Sequence, residues 1–491
     1  MNKIIYRIGI LLAVVLTACY EDKGNYDYDW VSDVRIENLQ DTVVGRGSVL
    51  KVEPELSLML GDDLTDGQFN PEEYEYLWAT GFGQDAVVLS RERVLEDTIW
   101  LPVSETNYTI FYTVTRKSSG MSWYGKFKLG VKGRFSNGLL FLTENENKEV
   151  ELDVYGHTPA GEWFLEKGVL ARSGFPYRGG GAYCVCTQTV ANAKRIWIAT
   201  GEATGWLDMI NFAWGERDLA RSIMAVPQPV SYTFKNIQLY NGKVYMMSAD
   251  GNGHVINNYA MIYPTFAVLN NRSVKLAPFV AGSRSSAVVW DLTNKQLVSN
   301  QADNIMTANS FCDELASEYA NKGKEFVYMQ AIANSKFMLI LQDPASGKYW
   351  KYRYKWRNEG LKYHPEIEDN GVEELKEMEI LDGVAPEMMG ISWTDGYFYF
   401  AKGNKLYNYR SGGGINQPVE CNITFDAPIS RVQVFNESQQ QYLWVATYDS
   451  AKGNAGGTVY KLSVNSLNGQ ELTIEGEPIT GLGQVKSINY W

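Results

Sequence analysis

Residues 238–249 read "QLYNGKVYMMSA", a strand, a tight turn and a second strand. Asn241-Gly242 supplies the two positive-φ positions that a two-residue hairpin needs, and the flanks alternate apolar with polar residues as half-buried strands do. The same design recurs along the chain as "YCVCTQTVANAKRIWIAT" (183–200), "AVVWDLTNKQLVSN" (287–300), "FVYMQAIANSKFMLILQ" (326–342), "MGISWTDGYFYFAK" (389–402) and "RVQVFNESQQQYLWVATY" (431–448). A seventh copy is split. "NGLLFLTE" (137–144) is a second strand with no first strand before it, and the last residues, "VKSINYW" (485–491), are a first strand with no second. A ring that pairs its C-terminal strand with its first blade accounts for both orphans, so the pattern predicts an all-β chain ending in a seven-bladed β-propeller.

Second strands are expected to begin near 139, 196, 244, 296, 337, 397 and 442. That period of about 40 to 60 residues suits one four-stranded blade. Third strands rich in Tyr or Trp follow in "KYWKYRYKW" (348–356), "KLYNYR" (405–410) and "TVYKLSV" (458–464). Two packed β-sandwiches are the alternative, and the split repeat argues against them. Aromatic residues make up 13% of the chain, with 31 Tyr and 14 Trp, and in a propeller most of these rings are consumed by packing between blades.

The N-terminus has its own signals. Residues 1–18 combine a basic start (Lys3, Arg7) with the apolar run "IGILLAVVL", a secretory leader rather than a membrane span. Leu16-Thr17-Ala18-Cys19 fits the lipobox of bacterial lipoproteins, in which cleavage before Cys19 frees a terminus whose thiol carries diacylglycerol. Such an anchor holds the protein to the bilayer through its chains alone, at about 0.8 kcal/mol per buried CH₂. Residues 19–29 then form a polar tether. Glu21 and Asp22, directly behind the lipidated Cys, resemble the surface-export signal of outer-membrane lipoproteins; a merely solvated charge run is the alternative.

Between 30 and 133 six strand candidates occur, a density that suits an immunoglobulin-like sandwich, with Trp78 of "YEYLWAT" as its core residue and no cysteine to form a disulfide. Pro54 and Pro102 fall at strand ends. The propeller occupies 134–491. Four stretches, "CYEDKGNYDYDW" (19–30), "VVGRGSVLKVEP" (43–54), "YEYLW" (74–78) and "YTVTRKSSGMSWY" (112–124), resemble the PKD-like family lipoproteins that accompany SusC/SusD-type transporters. This resemblance implies a surface lipoprotein that helps a TonB-dependent transporter and its SusD-type partner take up oligopeptides or glycans. It carries over one functional position, Cys19, and no catalytic residue.

The remaining chemistry is sparse. A formal charge of -12 with no Lys/Arg run excludes nucleic acid as a partner. Cys184 and Cys186 stand two apart on a strand, about 6 to 7 Å between Cα atoms, and read as small buried residues rather than a disulfide. Cys312 and Cys421 are isolated, and no CxxC pair suggests zinc. His157, His254 and His364 sit in no metal motif and read as surface or turn residues. "DGNGH" (250–254) mimics a calcium loop through Asp250 and Asn252 but lacks the distal Glu, so it reads as a turn. Glu144, Glu146 and the run "EIEDNGVEELKEMEI" (366–380) offer carboxylates, as a glycosidase needs, yet read as solvated charge. The Gly-rich loops at 172–183 and 411–414 lack the Lys-Ser/Thr of a phosphate-binding loop. No cofactor or metal is expected. Three functions compete: a non-enzymatic accessory of an uptake system, a propeller glycosidase or lyase with carboxylates at a propeller mouth, and a docking scaffold.

Overall fold

The computed structural model describes residues 33–491 apart from 61–62, 65–68, 82–85, 160, 190–193, 241, 257–260, 266–273, 283–285, 302–311, 315–320, 322, 334–335, 360–361, 393–396, 410–416, 438–439 and 466–467. Cys19, Glu21, Asp22 and the rest of the leader and tether lie outside the described residues, as does the Gly-rich loop 411–414. Two compact units make up the chain: Met1–Thr42, Ser48–Ile99 and Glu105–Gly130 in one, and Val43–Gly47, Trp100–Ser104 and Val131–Trp491 in the other.

The smaller unit is a β-sandwich. Tyr74–Thr80, Tyr108–Arg116 and Ser122–Lys132 pair antiparallel at the centre of its largest sheet, while Asp33–Glu37 and Glu55–Leu60 pair in another. Alternation along "YTIFYTVTR" sends Ile110, Tyr112 and Val114 inward with no exposed surface. Trp78 occupies the core position expected of it. It is fully buried, its ring stacks on Tyr112 at 4.1 Å, and its indole N–H donates to the Glu92 carbonyl at 2.9 Å. Pro54 stands between Val49–Val52 and Glu55–Leu60, at a strand end as expected.

The larger unit contains seven antiparallel sheets. Blade 1 is Asn137–Glu144, Val150–His157 and Trp163–Glu166, with Gln484–Tyr490 paired against Asn137–Glu144 as its inner strand. The orphan strands of the sequence therefore find each other. The inner strands of blades 2 to 7 are Ala182–Gln188, Phe234–Tyr240, Leu276–Gly282, Glu325–Ala333, Met389–Ile391 and Ile429–Glu437. In blade 3, Tyr240 pairs with Lys243, which closes the two-residue turn, and Gly242 has a φ of 78°. Asn241 lies outside the described residues.

Blade 4 corrects the reading of 287–300. That hairpin joins the second and third strands, Ser286–Asp291 and Gln296–Gln301, and the inner strand precedes it. "LAPFVAG" (276–282) hides as a strand because Pro278 and Gly282 break its pattern, and its pairing with Ser286–Asp291 is itself interrupted between Leu276 and Val280.

Burial proves the ring closed. Seven hydrophobic clusters occupy the larger unit, and each draws on two neighbouring blades. Leu140 and Ile198 meet between blades 1 and 2, Phe234 and Trp197 between blades 2 and 3, and Phe141 and Trp444 between blades 1 and 7. Seven blades in an open arc would share six seams; seven seams require closure. Trp197, Trp290, Tyr245, Tyr354 and Tyr399 are fully buried in these seams, which is where the aromatic composition goes. Among the described residues no helix is long and apolar enough to cross a membrane.

Candidate functional site: the axial channel

The inner strands run in the same direction around the axis, as constant offsets show. Val185 N–H donates to the Ser487 hydroxyl at 3.1 Å and the Thr187 hydroxyl to Asn489 Oδ1 at 3.0 Å. Asn236 donates to the Pro278 carbonyl, and Val280 N–H to Gln238 Oε1 at 3.2 Å. Gln330 bridges blades 5 and 6, donating to the Ile391 carbonyl at 2.9 Å while accepting from Ile391 N–H at 3.1 Å and from the Tyr328 hydroxyl at 2.8 Å. Polar side chains on these strands thus fasten one blade to the next.

A cavity of about 730 Å³ runs between the strands, lined by residues of all seven blades. On blade 7, Val432 and Val434 pack into the seam with blade 6, and Arg431, Gln433, Val434 and Phe435 line the cavity.

Among the described residues six charged side chains line the cavity: Glu144, Lys148, Lys235, Glu387, Arg431 and Lys486. Glu144 is buried and takes Lys148 at 2.5 Å, Lys486 at 3.3 Å and the Ala182 N–H at 3.0 Å. Burial pushes its carboxyl up, but these partners more than offset it and hold the group below its ordinary value. Arg431 donates to Gln433 at 2.9 Å, and its Nε–H is buried without an acceptor. Burial pulls its pKa down, opposed by Tyr328 of blade 5, Glu387 of blade 6 and Cys184 of blade 2. A residue of blade 7 that is felt from three other blades stands close to the axis.

The cysteines behave as read. Cys184 and Cys186 are buried and unbridged on the inner strand of blade 2, where the backbone N–H groups of Ile237 and Leu239 face their sulfurs. Burial pushes the Cys186 and Cys421 thiols up to about 12 and the Cys184 thiol higher. None is poised as a nucleophile. The side chain of Cys312 lies outside the described residues.

The histidine reading is corrected at His254. It is 3% exposed, and its ring packs edge-on against Tyr232 and Phe234 at 5.5 and 5.4 Å. Desolvation lowers its pKa to about 4, so it is a neutral core group rather than a surface one. His157 is half-buried beside Ser136, and the side chain of His364 lies outside the described residues. Asp250 and Asn252 sit in a turn closed by Ser248, whose hydroxyl donates to Asp250 and to the Asn252 carbonyl. Among the described residues no three His, Cys, Asp or Glu side chains converge on a metal position.

The acidic run is also corrected. Lys362–Leu375 is the outer strand of blade 5, and its carboxylates pair with basic residues of the two preceding strands and the turn between them: Glu366 with Lys355, Glu368 with Lys336 and Arg353, Glu374 with Lys348. Glu373 reaches Lys351, a side chain only 2% exposed, at 2.5 Å. Alternation of acids on one strand and cations on the next makes a ladder, which a one-dimensional scan for charge runs cannot see. Gly180 of the Gly-rich loop 172–183 lies against Gly201, where a Cβ would stand 2.3 Å from the Gly180 carbonyl, so these glycines permit close backbone approach.

Residues 19–158 match the sequence profile of the PKD-like family, so the first part of the chain carries a PKD-like domain. No curated protein matches the chain. Among solved structures, a quinoprotein alcohol dehydrogenase-like protein from Bacteroides thetaiotaomicron aligns at 12% identity over 94% of this chain and 99% of its own, with a TM-score of 0.41. YCF48 from Cyanidioschyzon merolae aligns at 9% identity over 60% of this chain and 84% of its own, with a TM-score of 0.33. The WD40 β-propeller domain of Doa1 aligns at 14% identity over 64% of this chain and 89% of its own, with a TM-score of 0.34. The class rests on the strand pairing itself: a nearly all-β protein in which a PKD-like sandwich precedes a seven-bladed propeller.

Proposed function

We propose that this protein is a surface-exposed outer-membrane lipoprotein, anchored through Cys19, that acts by contact rather than turnover. It docks on a SusC-type TonB-dependent transporter and its SusD-type partner and holds oligopeptides or glycans for them. The anchor follows from Leu16 to Cys19, and the transporter from the four stretches that resemble PKD-like lipoproteins.

The observation that carries the contact reading is how the channel's polar groups are committed. Ser487, Gln238, Asn236 and Gln330 are spent on fastening blades together. Glu144 is held ionised by Lys148 and Lys486, so it has no proton to give a leaving group. A glycosidase needs one carboxyl that keeps its proton and a second across the cleft.

The test is incubation of the purified full chain with oligopeptide and polysaccharide libraries. No new reducing ends or amines are expected. Reproducible cleavage that is lost in Glu387→Gln or Glu144→Gln would replace this reading with the glycosidase or lyase.

A further inference from the structure

The channel carries an electrostatic signature opposite to that of the whole molecule. The chain has a formal charge of -12, yet among the described residues the cavity is lined by four cationic side chains and two carboxylates. Lys148 and Lys486 are both spent on Glu144. The other two cations are not spent. Lys235 stands 5.5 Å over the Tyr183 ring, and Arg431 meets only the neutral Gln433. Among the described residues neither has a carboxylate within ion-pair distance. A guanidinium at the axis with a buried, unfilled Nε–H donor lacks the acceptor that burial of such a group demands.

We propose that the axial channel is a carboxylate-binding site centred on Arg431, with Lys235 as the second cation. Its ligand is a short oligomer carrying a single carboxylate, from a peptide C-terminus or an acidic sugar. The inference rests on the binding role proposed above and names what is bound.

Three features set the chemistry. The planar guanidinium offers paired N–H donors at the spacing of two carboxylate oxygens, a match an ammonium lacks. Gln433 holds one edge of that fork, which limits the orientations it has to give up on binding. Glu387 lies near enough to act on Arg431, and its negative charge favours a monoanion over a dianion such as phosphate. A volume of about 730 Å³ lies in the range that encloses a small ligand, and cationic walls inside an acidic protein focus the field on an incoming anion.

The experiment is calorimetric titration of the full chain in detergent at physiological salt, where the Debye length of about 8 Å screens non-specific attraction. Trialanine is compared with its C-terminal amide, cellobiouronate, which carries one carboxylate, with neutral cellobiose, and inorganic phosphate at pH 8 serves as the dianion. At least one carboxylate probe should bind, with its neutral counterpart at least tenfold weaker; which of the two binds identifies the source. Arg431→Gln should weaken that binding at least tenfold, and Arg431→Lys should recover part of it. If Arg431→Gln does not fold, the comparison of charged and neutral probes on the unaltered protein decides. Failure of both carboxylate probes, or equal binding of neutral probes or phosphate, overturns the proposal. Association with the transporter is read separately, so a channel that binds no carboxylate in a protein that still co-purifies refutes this inference alone.

Discussion

The backbone N–H of Val185 donates to the hydroxyl of Ser487 at 3.1 Å, across 302 residues of sequence. Thr187 and Asn489 repeat the link two residues on, at the same offset. Blade 2, among the first formed along the chain, is thus tied to the last strand, and blade 1 stays incomplete until the C-terminus arrives.

Deleting residues 485–491 should therefore remove the inner strand of blade 1 and expose the edge of Asn137–Glu144. The expected outcome is aggregation or loss of a cooperative melt. Ser487→Ala is the milder test. It leaves the buried Val185 amide without its acceptor and should cost about 1–3 kcal/mol in denaturant unfolding. An unchanged transition in the deletion contradicts closure through this strand.

In the sandwich, Trp78→Ala should cost about 3–5 kcal/mol, because a fully buried indole is lost together with its stacking on Tyr112 and its bond to Glu92. Intrinsic fluorescence during urea unfolding should show an early transition absent from the unaltered protein.

Acid stability should depend on His254. Its folded pKa of about 4 lies below the ordinary 6.5, so the unfolded chain binds the extra proton between those values. Its neutral burial is fully compatible with folding above pH about 6.5 and costs on the order of 3 kcal/mol once pH falls through 4. Asp153 has the opposite sense. Burial first, then Glu151, raises its carboxyl to about 6 from 3.8, so the folded state binds the extra proton, and stability falls as pH rises through that window, by a similar amount. His254→Leu should flatten the acid limb of stability against pH, and Asp153→Asn should raise stability above pH about 6. Unaltered pH profiles in both variants would refute these assignments.

Lys351 and Glu373 make a charged pair within blade 5. Glu373→Ala strands a buried ammonium and should cost about 3–5 kcal/mol, while Lys351→Met combined with Glu373→Leu should restore most of the loss. Equal melting of the single and double variants would show that the pair is not the source of the effect.

Much of the fold was legible because a two-residue turn between alternating strands announces itself locally, as at Tyr240 to Lys243. The inner strand of blade 4 was not, since Pro278 and Gly282 interrupt the alternation and its nearest hairpin joins the wrong pair of strands. The site was less legible than the fold. Arg431 carries a signal in retrospect, a single cation at an inward position of "RVQVF", but the sequence does not say that inner strands surround a cavity. His254 is buried by Tyr232 and Phe234, and the acids of 366–380 are paired across strands. Both depend on three-dimensional neighbours.

The proposed role is tested most directly by capturing the tagged full chain from native outer membranes in mild detergent and identifying what comes with it by mass spectrometry. A TonB-dependent transporter and its SusD-type partner should be recovered in near-stoichiometric amounts, and should be lost when Cys19→Ala removes the anchor. Recovery of the protein alone, or of the same partners with an untethered Cys19→Ala chain in the soluble fraction and none in the membrane, would contradict a membrane-anchored accessory of an uptake system.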